Sequence, residues 1–89
     1  MAYEAQLTLI TRQGCHLCEE ASNDLARLIA RFTELHPDKP YTVEVLDVDS
    51  DPTLLEKYSE EVPVLLLNNE QVSFFRIDIE RVLGKLANL

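Results

Sequence analysis

The chain is short of basic residues, of cysteine and of long apolar runs, and each shortage narrows what it can be. Eight Lys and Arg stand against sixteen Asp and Glu, for a formal net charge of −8. Nucleic-acid binding wants clustered Lys and Arg, and no such stripe exists, so no nucleic-acid partner is expected. An anionic membrane surface is disfavoured on the same ground. The acidic balance favours solubility and steers basic partners. No apolar stretch approaches the length needed to span a bilayer. The opening Met1-Ala2-Tyr3-Glu4-Ala5-Gln6 lacks the basic start and apolar run of a secretory signal. The expectation is therefore a cytoplasmic protein without membrane association. Gly-rich phosphate-cradling patterns are absent, and no cofactor is expected. There are no internal repeats, linkers or low-complexity tracts. At 89 residues the chain reads as one domain, residues 1–89, and as a monomer.

Only two cysteines are present, three positions apart, so they permit one short internal bridge. A ring that small restrains little of the unfolded chain, and a bridge there suits chemistry more than reinforcement. The core must hold by packing, and 46% hydrophobic residues supply it.

Several segments carry clear periodicity. Leu7 to Thr11 is a short β-prone run, broken by Arg12-Gln13-Gly14, where glycine permits a sharp turn. From Leu17 the period becomes helical: Leu17, Ala21, Leu25, Leu28, Phe32 and Leu35 recur at three or four residues. Glu19, Glu20, Asn23, Asp24, Arg27, Arg31 and Glu34 fill the opposite side. Pro37 and Pro40 end this helix. Tyr41 to Val48 alternates as a strand with Tyr41, Val43 and Val45 facing apolar surroundings. The two strands and the helix between them form a βαβ unit, which makes the strands parallel. Asp51 and Pro52 start a short helix over Thr53 to Tyr58. Val64 to Leu67, a turn at Asn68-Asn69-Glu70, and Val72 to Ile77 read as an antiparallel hairpin, which places Phe74 and Phe75 on opposite faces. Asp78 caps a last helix carrying Ile79, Val82, Leu83, Leu86 and Leu89. The order β-α-β-α-β-β-α predicts a three-layer α/β fold with a mixed four-stranded sheet.

The chemistry concentrates in Cys15-His16-Leu17-Cys18. A CxxC alone occurs in redox, zinc and iron–sulfur sites. This one follows a strand and a glycine turn and opens a helix, where unpaired amides and the helix dipole favour a thiolate at Cys15. Cys18, one turn further in, then suits the resolving thiol. Arg12 adds positive charge or holds an anionic substrate, and His16 supports the thiolate when protonated; Glu19, Glu20 and Glu61 oppose it if close. A metal reading stays open, with Cys15, Cys18, His16 and His36 as its donors and a cluster shared between chains as a variant. The carboxylates Asp47, Asp49 and Asp51 alternate but do not meet a calcium-loop pattern. Glu61-Val62-Pro63 precedes an apolar strand. Pro63 belongs at a strand's first position, either as an ordinary trans residue or with a cis Val62–Pro63 bond that turns the Val62 backbone toward Cys15 and an extended substrate.

With Thr11 to Cys18, Glu61-Val62-Pro63-Val64 and the hairpin with its final helix, the chain resembles the thioredoxin/glutaredoxin superfamily, and most of all small glutaredoxin-like proteins that keep the CxxC. The resemblance spans Leu7 to Leu86. It implies a thioredoxin/glutaredoxin-like sheet order of second, first, third and fourth strand, Cys15 as nucleophile, Cys18 as resolving thiol and Pro63 as cis. It further implies Arg12 at a commonly basic position, and Val62 making a strand-like contact to the cysteinyl part of glutathione. His16-Leu17 replaces the family's usual Pro-Tyr or Pro-Phe, Glu61 replaces Thr, and Ser73-Phe74 stands where a Gly-Gly pair would fall. No Trp-Cys-Gly-Pro-Cys of a thioredoxin is present. Glutathione thus stays open as a co-substrate while its usual contacts are weakened. The implied function is thiol–disulfide oxidoreductase acting on a protein or low-molecular-weight disulfide. The alternative is a non-catalytic interaction module, or a metal- or cluster-holding protein, on the same fold.

Overall fold

The computed structural model of the chain describes residues 5–88. Leu89, assigned above to the last helix's apolar stripe, and the opening residues 1–4 lie outside them. Strand β1 (Ala5–Thr11) runs into helix α1 (His16–Leu35) and returns as β2 (Tyr41–Asp47). A single 3-10 turn (Val48–Ser50) and helix α2 (Pro52–Tyr58) follow, then β3 (Val64–Leu67), β4 (Glu70–Phe74) and helix α3 (Ile79–Ala87). The sheet order is β2-β1-β3-β4, with β1 and β2 parallel and the other neighbours antiparallel. This is the α/β three-layer architecture that the sequence order implies.

Strand alternation divides the core in two. Leu7 and Leu9 face the side covered by α1 and α3, where they meet Leu25, Leu28, Phe32, Val82 and Leu86. Ile10 points to the other side, where it packs with Val48, Val64 and Leu66 under Leu54, Tyr58 and Val62. Full burial of such side chains contributes roughly 1.5–3 kcal/mol each. The helices start where the sequence supplies acceptors. Asp51 accepts from the Thr53 amide at 2.7 Å, and Asp78 from the Arg81 amide at 3.2 Å. The hairpin turns on Asn68 and Asn69, both at positive φ (51° and 70°), the conformation a two-residue hairpin loop requires. Asn68 also ties the turn to β1, accepting from the Gln6 amide at 2.8 Å.

Four readings of the sequence need correction. Tyr41, Val43 and Val45 alternate as expected but are exposed, because β2 is an edge strand and the helices cover its neighbours instead. Leu17 and Leu35, placed on the helix's apolar stripe, are also exposed, since each sits at an end of α1 that overshoots the core. Asp24, placed on the solvated side of that helix, is buried, and its carboxylate accepts from Arg27 at 3.1 Å and lies 4.0 Å from Arg76. Finally, β4 begins at Glu70 and stops at Phe74, and the register shifts at Leu65/Leu66. Phe75 leaves the strand with φ 62°, so Phe74 and Phe75 do not alternate. Both are exposed, and their rings meet edge to face with centroids 5.1 Å apart.

Candidate active site

β1 delivers the chain to Arg12-Gln13-Gly14, and Gly14 takes φ 73°, a turn that aims Cys15 at the start of α1. Cys15 is the N-cap of that helix: its backbone is extended, its carbonyl accepts from Glu19 at 3.3 Å, and its sulfur accepts from the Cys18 amide at 3.1 Å. A sulfur thus occupies the place that a serine or aspartate oxygen usually fills at a helix start. Cys15 and Cys18 are joined as a disulfide with their Cα atoms 5.1 Å apart. Cys15 is half-buried and Cys18 is 4% exposed, so Cys15 is the more open of the two to a reactant. A depression of about 250 Å³ opens beside the pair, lined by Thr11, Arg12, Gln13, Gly14, Glu19, Ser22 and Val45. A larger one, about 510 Å³, lies beside the Asn68–Asn69 turn and includes none of the chemistry-bearing residues singled out above.

Arg12 lies in the wall of the smaller depression, but its guanidinium is engaged. Nε and Nη2 donate to the two Asp49 oxygens at 3.1 and 3.2 Å, and Nη1 donates to the Ser59 carbonyl at 3.2 Å. These bonds tie the cysteine loop to the 3-10 turn and to the end of α2. His16 is 83% exposed, with Nε2 3.7 Å from Glu20. Asp47, Asp49 and Asp51 each have work within the fold: Asp47 accepts from the Asp49 amide at 2.9 Å, Asp49 holds Arg12, and Asp51 caps α2. His36 caps the far end of the 20-residue α1, roughly 30 Å from Cys15 at 1.5 Å per residue, and cannot share a metal with it in one chain.

The Val62–Pro63 peptide bond is cis, as expected. Ile10 is paired with Val64, so Pro63 enters β3 beside the end of β1 that leads to Cys15. The Pro63 carbonyl accepts from the Phe75 amide at 2.8 Å. Glu61, two residues before Pro63, accepts from Gln71 at 3.1 Å. The topology thus brings Arg12, Cys15, Cys18, Val62 and Pro63 to one end of the sheet, while His16 turns outward. The Phe74–Phe75 pair lies at the same end, with the two rings in contact rather than on opposite faces. The strand period misled there, and the failed alternation after Phe74 has no local signal.

Fold and site together define a thioredoxin-fold domain of the glutaredoxin type, with a CxxC disulfide at a helix start. The chain matches the Glutaredoxin-like domain (DUF836) family over residues 6–87, and it belongs to that family. It is 28% identical over 87 residues to an uncharacterized protein of Mycobacterium tuberculosis, covering 92% of this chain and 82% of that one. It is similar to the X-ray structure of a structural genomics target protein from X. campestris, with TM-score 0.68 and 28% identity, covering 93% and 97% of the two chains. The germline-specific thioredoxin Deadhead of Drosophila shares the fold, with TM-score 0.59 and 21% identity over 97% and 81%. No helix among the described residues is long and apolar enough to cross a membrane.

Proposed function

We propose that the protein is a thiol–disulfide oxidoreductase that uses the Cys15/Cys18 dithiol to reduce a disulfide in a protein or small molecule. The observation that carries this reading is the Cys18 amide, 3.1 Å from the Cys15 sulfur at the start of α1. After reduction the same amide, with the helix dipole behind it, holds negative charge on Cys15 better than it holds a neutral thiol. The Cys15 thiolate attacks one sulfur of the substrate disulfide, forms a mixed disulfide and expels the other substrate sulfur as a thiolate. Cys18 then gives up its proton and attacks the Cys15 sulfur, closing the Cys15–Cys18 bond and releasing the second substrate thiolate. Two electrons pass to the substrate, the dithiol is oxidised, and the substrate thiolates take up two protons. An external dithiol, or two monothiols, restores the reduced protein.

The difference in burial supports different roles for the two cysteines: Cys15 as the one that meets the substrate, and Cys18 as the one that resolves the mixed disulfide. The Val62 backbone, turned at Pro63, is the proposed strand-like contact for an extended substrate. Arg12 acts through the loop that it braces, and His16 modulates the local charge from its exposed position. A cytoplasmic setting suits this chemistry, because thiols there are kept reduced and a disulfide is a working intermediate.

The test is trapping with Cys18→Ser. In that variant the mixed disulfide cannot resolve, so it should accumulate on Cys15 and disappear in the Cys15→Ser/Cys18→Ser double variant. Absence of any Cys15-linked adduct after exposure to an oxidised protein or small-molecule disulfide would overturn the proposal.

A further inference from the structure

Phe74 and Phe75 sit where the fold gains little from them. Both rings are exposed, at 52% and 42%, and they contact one another with centroids 5.1 Å apart. Phe75 holds φ 62°, a left-handed conformation that glycine adopts freely and a bulky side chain resists. Stability alone favours a small residue there. The pair's position is more informative. Val64 is paired with Ile10 on one side and with Phe74 on the other, and the Phe75 amide binds the Pro63 carbonyl. The pair therefore flanks the Pro63 turn on the side away from β1, about 10 Å, or two strand spacings, from the strand that leads to Cys15. Leu17, inside the CxxC, is exposed at the same end.

Charge points the same way. Of the arginines near this end, Arg12 faces Asp49 and Arg76 lies toward Asp24, while Arg81 shares the wall of a depression with Phe74. Glu19, Glu20 and Glu61 lie on α1 and before Pro63, in a chain of net charge −8. Glutathione would bring two more carboxylates to this acidic surface; an apolar or basic polypeptide would not.

We propose that Phe74 and Phe75 form the seat for an apolar side chain next to a substrate cysteine, which makes the substrate class of this site a polypeptide disulfide with neutral or basic flanks. The proposal rests on the thiol–disulfide reading above. Packing a substrate side chain onto the two rings buries apolar surface that the free protein leaves wet, and buried aromatic residues commonly dominate such contacts.

The test follows oxidation of the reduced, full-length protein by four disulfides. Two are disulfide-looped peptides with basic flanks, identical except for leucine or serine beside the attacked cysteine. The others are glutathione disulfide and bis(2-hydroxyethyl) disulfide. The wild-type protein should prefer the leucine peptide to the serine peptide by about tenfold and should react more slowly with glutathione disulfide than with the leucine peptide. In Phe74→Ser and Phe75→Gly the leucine-to-serine ratio should fall toward one. Both positions are exposed and glycine suits the φ of residue 75, so thermal unfolding should confirm folded variants. No leucine preference in the wild type, a preference that survives both substitutions, or glutathione disulfide as the fastest substrate would overturn the seat while leaving the oxidoreductase reading in place. No reaction with any of the four disulfides, bis(2-hydroxyethyl) disulfide included, would overturn both.

Discussion

Replacing Arg12 with alanine removes a two-point ion pair and a carbonyl hydrogen bond in one step, and the size of the loss separates a brace from a substrate anchor. The Arg12 and Asp49 side chains are 36% and 52% exposed, so solvent screening limits their pair to roughly 0.5–1 kcal/mol. The bond to the Ser59 carbonyl is part-buried and adds about 1 kcal/mol. Arg12→Ala should therefore cost about 1.5–2 kcal/mol, a fall in Tm of roughly 10 °C for a domain of this size. Asp49→Asn keeps the Ser59 bond and should cost only about 0.5–1 kcal/mol. Urea unfolding of both single variants and the double variant, followed by far-ultraviolet circular dichroism, gives the coupling, expected at about 0.5–1 kcal/mol. A second readout is chemical. Asp49→Asn leaves a guanidinium without its carboxylate in the wall of the depression beside Cys15, so oxidation of the reduced protein by anionic glutathione disulfide should speed up. Effects of the two substitutions that add to within about 0.3 kcal/mol, together with an unchanged glutathione disulfide rate, would refute the brace.

Three further outcomes follow from the geometry. Gly14 holds φ 73° with open space around a built Cβ, so Gly14→Ala should lose about 1 kcal/mol through backbone conformation alone. Gly14→Asn should lose less, because asparagine tolerates that region, and urea midpoints compare the two. Phe32 is 1% exposed and touches the rings of His36 and Tyr41, so Phe32→Ala should cost about 3–5 kcal/mol, most of the stability of a domain this small, seen as a collapse of the unfolding midpoint. Val43 is 41% exposed on the edge strand, so Val43→Lys should change stability by no more than about 0.5 kcal/mol; a loss of several kcal/mol by the same assay would mean that β2 is covered.

The elements themselves are legible because each is announced locally. The period of α1 changes at Leu17, Asp51 and Asp78 precede their helices, and Asn68-Asn69 sits between two apolar runs. The cysteine site is legible for the same reason, since strand, glycine, cysteine and helix follow one another within a dozen residues. What the sequence conceals is set between distant segments. Tyr41, Val43 and Val45 carry the alternation of a half-buried strand, yet their exposure depends on β2 lying at the sheet's edge. Asp24 reads as a solvated helix residue until the segment after β4 lays Arg76 near it. Arg12 reads as a cation for a substrate, and its partner Asp49 lies 37 residues away. The register shift at Leu65/Leu66 falls inside the β3–β4 ladder and the left-handed Phe75 ends β4, and neither is announced by a local signal in the sequence.

The most direct test of the account is the ionisation of Cys15 in the reduced protein, read as the pH dependence of its alkylation by iodoacetamide, with Cys18→Ser to isolate it. The helix amides predict a midpoint below about 8.5, the value of a free thiol, and faster alkylation at neutral pH than at Cys18 in the Cys15→Ser variant. A Cys15 midpoint at or above about 8.5, or a Cys18 that reacts as readily, would contradict the assignment of Cys15 as the nucleophile held by the start of α1.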